Sequence, residues 1–158
     1  MQDSASNPIL LVEDNEGDIF IFRRLAKKAG IGSPIHVVYT GEQAVEYLAG
    51  TGKYSDRAYY PIPSVVLLDL KIPRKDGFEV LEWVRSQADL ASLNVVVLTS
   101  SAEARDIDRA RELGAVSYLT KPPELEALVR SQGSSQQTEV HSRTVAEDAH
   151  WLALTTAH

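Results

Sequence analysis

Five short apolar runs recur along the chain at near-regular spacing: Ile9–Val12, Ile35–Tyr39, Val65–Leu68, Val95–Leu98 and Val116–Leu119. Three of them lack polar alternation and consist of Val, Ile and Leu, the pattern of strands buried on both faces. Segments with helical spacing separate the runs. Ile19, Phe22, Leu25, Ala26 and Ala29 stripe one face of a helix predicted over 16–29. Thr40 and Gln43 form a capping-box pattern ahead of Ala44, Val45 and Leu48. Phe78, Leu81 and Val84 mark a third helix, Ile107, Ala110 and Leu113 a fourth, and Leu125, Leu128 and Val129 a fifth after Pro122-Pro123. Such alternation implies right-handed crossovers and a doubly wound, five-stranded parallel α/β sheet with helices on both faces. Sites in these sheets form at the carboxyl ends of the strands.

Two stretches break the pattern. Residues 50–63 contain Gly50, Gly52, Pro61 and Pro63 and read as a long surface loop. Residues 131–138 are polar or Gly throughout and read as a flexible linker, followed by i, i+4, i+7 spacing at Val145, Ala149 and Leu152.

Composition narrows the function. The 158 residues carry 16 Lys+Arg against 22 Asp+Glu, a net charge of −6, so no strong basic face invites nucleic acid. The absence of Cys excludes disulfides, thiolate metal sites and thiol nucleophiles. Met1 to Pro8 has no signal-peptide pattern, and no apolar run approaches the ~20 residues of a membrane helix. A soluble, cytoplasmic protein with no membrane partner is expected.

The polar residues just past each run carry the candidate chemistry. Glu13-Asp14 follows the first run and Asp69 the third, which puts three carboxylates on one rim. Left alone they repel one another, and a hard divalent cation such as Mg2+ removes that penalty. Thr99 follows the fourth run and Lys121 the fifth, supplying a hydroxyl and a cation for phosphoryl oxygens. Together these suit phosphoryl chemistry with an aspartate as nucleophile.

The stretches Ile9-Leu-Leu-Val-Glu-Asp14, Val65-Val-Leu-Leu-Asp69, Pro73-Arg-Lys-Asp-Gly77, Val95-Val-Val-Leu-Thr-Ser100 and Gly114-Ala-Val-Ser-Tyr-Leu-Thr-Lys-Pro122 occur in that order. In this combination the chain resembles the receiver domain of two-component response regulators over about residues 8–130. The resemblance implies a flavodoxin-like sheet of strand order 2-1-3-4-5. It makes Asp69 the phosphoacceptor, taking its phosphoryl group from a phosphohistidine on a sensor histidine kinase. Asp14 and Asp69 would ligate Mg2+ through carboxylates, Lys71 through its backbone carbonyl and Glu13 mainly through water. Lys121 would neutralise the phosphoryl group, with a cis bond to Pro122. Thr99 and Tyr118 would form the switch, the ring swinging inward as the hydroxyl moves. Lys71 stands where Asn or Met is frequent, and Ser101 is small where many relatives carry a larger group.

The long Gly50–Pro63 loop, the Leu70–Gly77 wording and Trp151-Leu152 are similar to regulators paired with bacterial phytochromes. That likeness implies a phytochrome-type kinase and a homodimer supported by the C-terminal part. Only 28 residues follow Arg130, too few for a helix-turn-helix, so no DNA-binding output domain is expected, and the tail, 139–158, is read as short and open to forming a helix. The basic run Arg23, Arg24, Lys27 and Lys28 lies on the helix where such receivers meet their kinase. Two rival readings remain. A haloacid-dehalogenase-type phosphatase wants an Asp two residues past its nucleophile, where this chain has Lys71. A phosphorylation-independent binding module would not need Glu13, Asp14, Asp69, Thr99 and Lys121 intact.

Overall fold

The computed structural model describes residues 7–100 and 103–123. Strands β1 (Ile9–Val12), β2 (Ile35–Val38), β3 (Val65–Asp69), β4 (Val95–Thr99) and β5 (Ser117–Thr120) alternate with helices α1 (Glu16–Lys28), α2 (Gly41–Ala49), α3 (Gly77–Ser86) and α4 (Ala104–Glu112). All strand pairs are parallel, in the order β2-β1-β3-β4-β5. The sequence therefore places every described strand and α-helix, with strand ends shifted by a residue, but neither of the two short 3-10 turns, Gly52–Tyr54 and Ala88–Leu90. β3 and β4 each run one position further, to Asp69 and Thr99, because the ladder continues to their tips. The predicted fifth helix, the 131–138 linker and the 139–158 tail lie outside the described residues.

Every residue of the central strands β1, β3 and β4 is buried, whereas the edge strands β2 and β5 are partly open. Alternate side chains enter two cores, as the two-residue period of a strand requires. Leu10, Val12, Val66, Leu68, Val95 and Val97 meet Ala44 and Leu48 of α2, Val80, Leu81 and Val84 of α3, and Ala110 of α4. Ile9, Leu11, Val65, Leu67, Val96 and Leu98 meet Ile19, Phe22 and Ala26 of α1 on the other face. Trp83 packs at the margin of the first core.

The helix starts are chemically specified. Asn15 caps α1 by accepting from the Asp18 N–H, and Thr40 caps α2 by accepting from Gln43. Gln43 does not close the predicted box on Thr40: its side chain accepts from the Tyr39 N–H one residue earlier. The reciprocal box is instead at α3, between Asp76 and Glu79.

The 50–63 segment is more than a surface loop. It forms a 3-10 turn over Gly52–Tyr54 and buries Tyr54 against Tyr47 and Tyr60. The Arg57 guanidinium donates to the carbonyls of Tyr47 and Leu48 in the last turn of α2 and to that of Tyr60 in the loop, each at 2.8 Å, tying the loop to the helix end. His36, unremarkable in the sequence, lies 2.7 Å from the Tyr47 hydroxyl. Burial, reinforced by the Arg23 charge, holds its pKa below the ordinary imidazole value.

Candidate functional site

The ends of β1, β3, β4 and β5 bring the predicted polar residues to one edge of the sheet. Parallel pairing does this automatically, since all the strands point the same way. Glu13 extends β1, its N–H donating to the Val38 carbonyl, and is only 1% exposed. Asp14, next along the chain, is exposed. Asp69 is 6% exposed; its Oδ1 accepts from the Lys71 N–H and its Oδ2 from Lys121, each at 2.9 Å. Ligand oxygens of Glu13, Asp14 and Asp69 all lie within 4.8 Å of one another.

Lys121 is the electrostatic centre of the site. Its Nζ is 2.6 Å from Glu13 Oε1, 2.9 Å from Asp69 Oδ2 and 2.9 Å from Asp18 Oδ2. An ammonium has three N–H donors, and all three are used. Burial lowers the Lys121 pKa, but hydrogen bonds to Glu13, Asp69 and Asp18 outweigh it and leave the pKa above the ordinary value. Glu13 is pushed up to about 7: burial raises it most, the Lys121 hydrogen bond opposes, and the Asp69 charge adds to the rise. Three carboxylates thus contact one ammonium, and the exposed Asp14 lies beside them. That excess of negative charge fits a hard divalent cation with oxygen ligands, and Lys121 alone does not balance it.

Asp18 escaped the sequence reading. Its signal is the four-residue interval from Asp14, one turn into α1, but a helix-start acid is ordinarily a dipole partner and nothing more. Thr99 is buried at the tip of β4 beside Thr120, and its carbonyl accepts from the Lys121 N–H. Tyr118 is half-buried against the α2–α4 core. The side chain of Lys71 is exposed, and the Lys121–Pro122 bond is cis, as the resemblance implies.

The loop after Asp69 is held by close backbone approaches. Gly77 sits so near Leu70 that a Cβ would fall 2.7 Å from its Cα, and a Cβ on Gly41 would fall 1.8 Å from the Lys75 carbonyl oxygen. The first two N–H groups of α2, on Gly41 and Glu42, donate to the carbonyls of Pro73 and Arg74. The loop after Asp69 thereby caps a neighbouring helix. Beside the site, a cavity of about 230 Å³ opens between α1 and the end of β5, lined by Glu13, Asp18, Ile21, Lys121, Pro122 and Pro123 among others.

The strand order and the carboxyl-edge cluster of acids around one lysine define the class, the flavodoxin-like receiver fold. The family model of the response regulator receiver domain matches residues 9–131. Response regulator Rcp1 of Synechocystis sp. is 36% identical over 132 residues, covering 82% of this chain and 88% of the relative. The bacteriophytochrome response regulator AtBRR is similar in structure, with a TM-score of 0.71 and 40% identity over 80% of this chain and 89% of that one. The Mn2+-bound form of Rcp1 superposes with a TM-score of 0.67 and 33% identity, covering 89% and 95%. The chain belongs to the response regulator receiver domain family. Among the described residues no helix is long and apolar enough to cross a membrane.

Proposed function

We propose that the protein is a cytoplasmic phosphorylation switch in which Asp69 accepts a phosphoryl group from a sensor histidine kinase. The observation that carries this reading is the buried Asp69 carboxylate, held on one oxygen by Lys121 and on the other by a backbone N–H, within an acidic triad. Those two hydrogen bonds orient the carboxylate before a donor arrives, which removes part of the entropic cost of reaction. Glu13, Asp14 and Asp69, with the Lys71 carbonyl, would hold Mg2+, and the chemistry that ion supplies is charge neutralisation on the transferring phosphoryl oxygens. The Mn2+-bound relative supports a divalent ion at such a cluster.

Lys121 stays charged throughout the physiological range, because its carboxylate partners hold its pKa high, and it stabilises added negative charge at Asp69. Thr99, buried at the adjoining strand tip, would donate its hydroxyl to the phosphoryl oxygen, and Tyr118 would follow that movement. Such a shift biases a two-state surface, which is the output of a switch. Similarity to the bacteriophytochrome response regulator AtBRR supports a phytochrome-type kinase as donor.

The test is incubation with Mg2+ and acetyl phosphate, followed by intact-mass measurement beside Asp69→Asn. The expected result is one added phosphoryl group, absent in the variant and in EDTA. No added mass under conditions that label an active receiver would turn the reading to a phosphorylation-independent binding module.

A further inference from the structure

Among the described residues, Asp18 is the one carboxylate partner of the Lys121 ammonium that lies outside the acidic triad, and it lines the cavity beside α1. Its carboxylate is partly open, 37% exposed, against 2% for Glu13 and 9% for Asp69. One oxygen, Oδ2, is bound to Lys121; among the described residues Oδ1 has no hydrogen bond. Because both acids bind the same nitrogen at 2.9 Å, the Asp18 charge sits just across one ammonium from the acceptor oxygen. The cavity lining also includes the apolar Ile21, Phe22, Leu98, Pro122 and Pro123. A cavity of about 150 Å³ accommodates a benzene ring, so 230 Å³ leaves space for a smaller flat heterocycle.

We propose that Asp18 is a specificity-determining residue of the phosphoryl transfer. Its carboxylate on the cavity wall favours donors that carry the phosphoryl group on a positively charged, flat nitrogen ring over donors that leave as a carboxylate. The inference rests on Asp69 being the acceptor. With a phosphoimidazole, the N–P bond breaks and its electron pair returns to the ring nitrogen as the P–O bond to Asp69 forms. The proton on the other ring nitrogen stays in place, and imidazole leaves neutral. The ring is cationic in the donor and keeps part of that charge until the N–P bond is broken, so a nearby carboxylate favours its approach, and Ile21, Pro122 and Pro123 offer its faces apolar contact. With acetyl phosphate the O–P bond breaks and acetate leaves, building negative charge that the same carboxylate repels.

The experiment compares labelling rates with phosphoimidazole and with acetyl phosphate, at saturating Mg2+, in wild type, Asp18→Asn and Asp18→Glu. A full charge at this range in a partly exposed site is worth roughly a 5- to 20-fold change in the ratio of the two rates. Asp18→Asn is expected to lower the phosphoimidazole-to-acetyl-phosphate ratio by that factor, and Asp18→Glu to restore most of it. The effect is expected to shrink as salt is added. Equal changes with both donors would be what a merely structural Asp18 produces and would overturn the proposal, leaving Asp69 as acceptor intact. Failure of both donors to label wild type would overturn the acceptor assignment and the proposal with it.

Discussion

Replacing Lys121 with Met removes the cation and keeps the length and apolar stem of the side chain. Three carboxylates then lose a partner at 2.6–2.9 Å. Removing one member of a buried ion pair costs about 3–5 kcal/mol, because the remaining charge is left unpaired. The Asp18 contact is discounted, since Asp18 is 37% exposed and a contact that open contributes at most about 1 kcal/mol. Glu13 and Asp69 carry the rest, and Glu13 can escape part of it by taking up a proton, so the expected loss is about 2–4 kcal/mol.

The same escape gives the loss a pH dependence. The folded Glu13 pKa of about 7 already exceeds its ordinary 4.5, so the folded state binds more protons than the unfolded chain between those values. Stability from this group is therefore greatest below 4.5 and falls as pH rises through 7. Without the Lys121 hydrogen bond the Glu13 pKa rises further, and the fall extends to higher pH. Lys121 itself, raised above 10.5, stays charged in both states below that value and adds no slope. Urea unfolding in EDTA, at pH 5.5 and pH 8.5, reads both quantities. The midpoint of the variant is expected to drop by roughly 1–2 M at the higher pH, given slopes of 1–3 kcal/mol per molar, and by clearly less at the lower. A loss below about 1 kcal/mol at pH 8.5, or one equal at the two pH values, would refute the account of the site as an acid-rich cluster held by one cation.

Gly41→Ala drives a methyl group into the Lys75 carbonyl, and the expected net loss is about 1–2 kcal/mol, since overpacking outweighs the better helix propensity of Ala. Gly32→Ala, with nothing within 4 Å, serves as the near-neutral control in the same urea series. Arg57→Met deprives three carbonyls of a charged donor and is expected to cost about 2 kcal/mol. Limited proteolysis should then cut within 50–63 well before the sheet unfolds, and an unchanged cleavage pattern would contradict the clasp described for this loop.

The sheet was legible because its central strands are buried on both faces, which leaves uninterrupted runs of Val, Leu and Ile in the chain. Glu13, Asp14, Asp69, Thr99 and Lys121 were legible for a related reason: parallel strands deliver whatever follows them to the same edge. The roles of Thr40 and Gln43 were only half legible, since any acceptor near a helix start looks alike until the backbone conformation is known. Arg57 was hidden because carbonyl acceptors have no sequence signature.

The sequence by itself determined the fold class, the strand order through its family resemblance, and Glu13, Asp14, Asp69, Thr99 and Lys121, though not Asp18, at the site. For the fold class and those five residues local burial and chain direction suffice, and both are written in short stretches of residues. Only the tertiary structure decided that Asp18 shares Lys121 with Asp69, that His36 meets Tyr47, and that the loop after Asp69 caps α2. The first of these spans 103 positions along the chain. Such a contact depends on where two elements come to rest against a common core, and no local pattern of hydrophobic and polar residues encodes that distance.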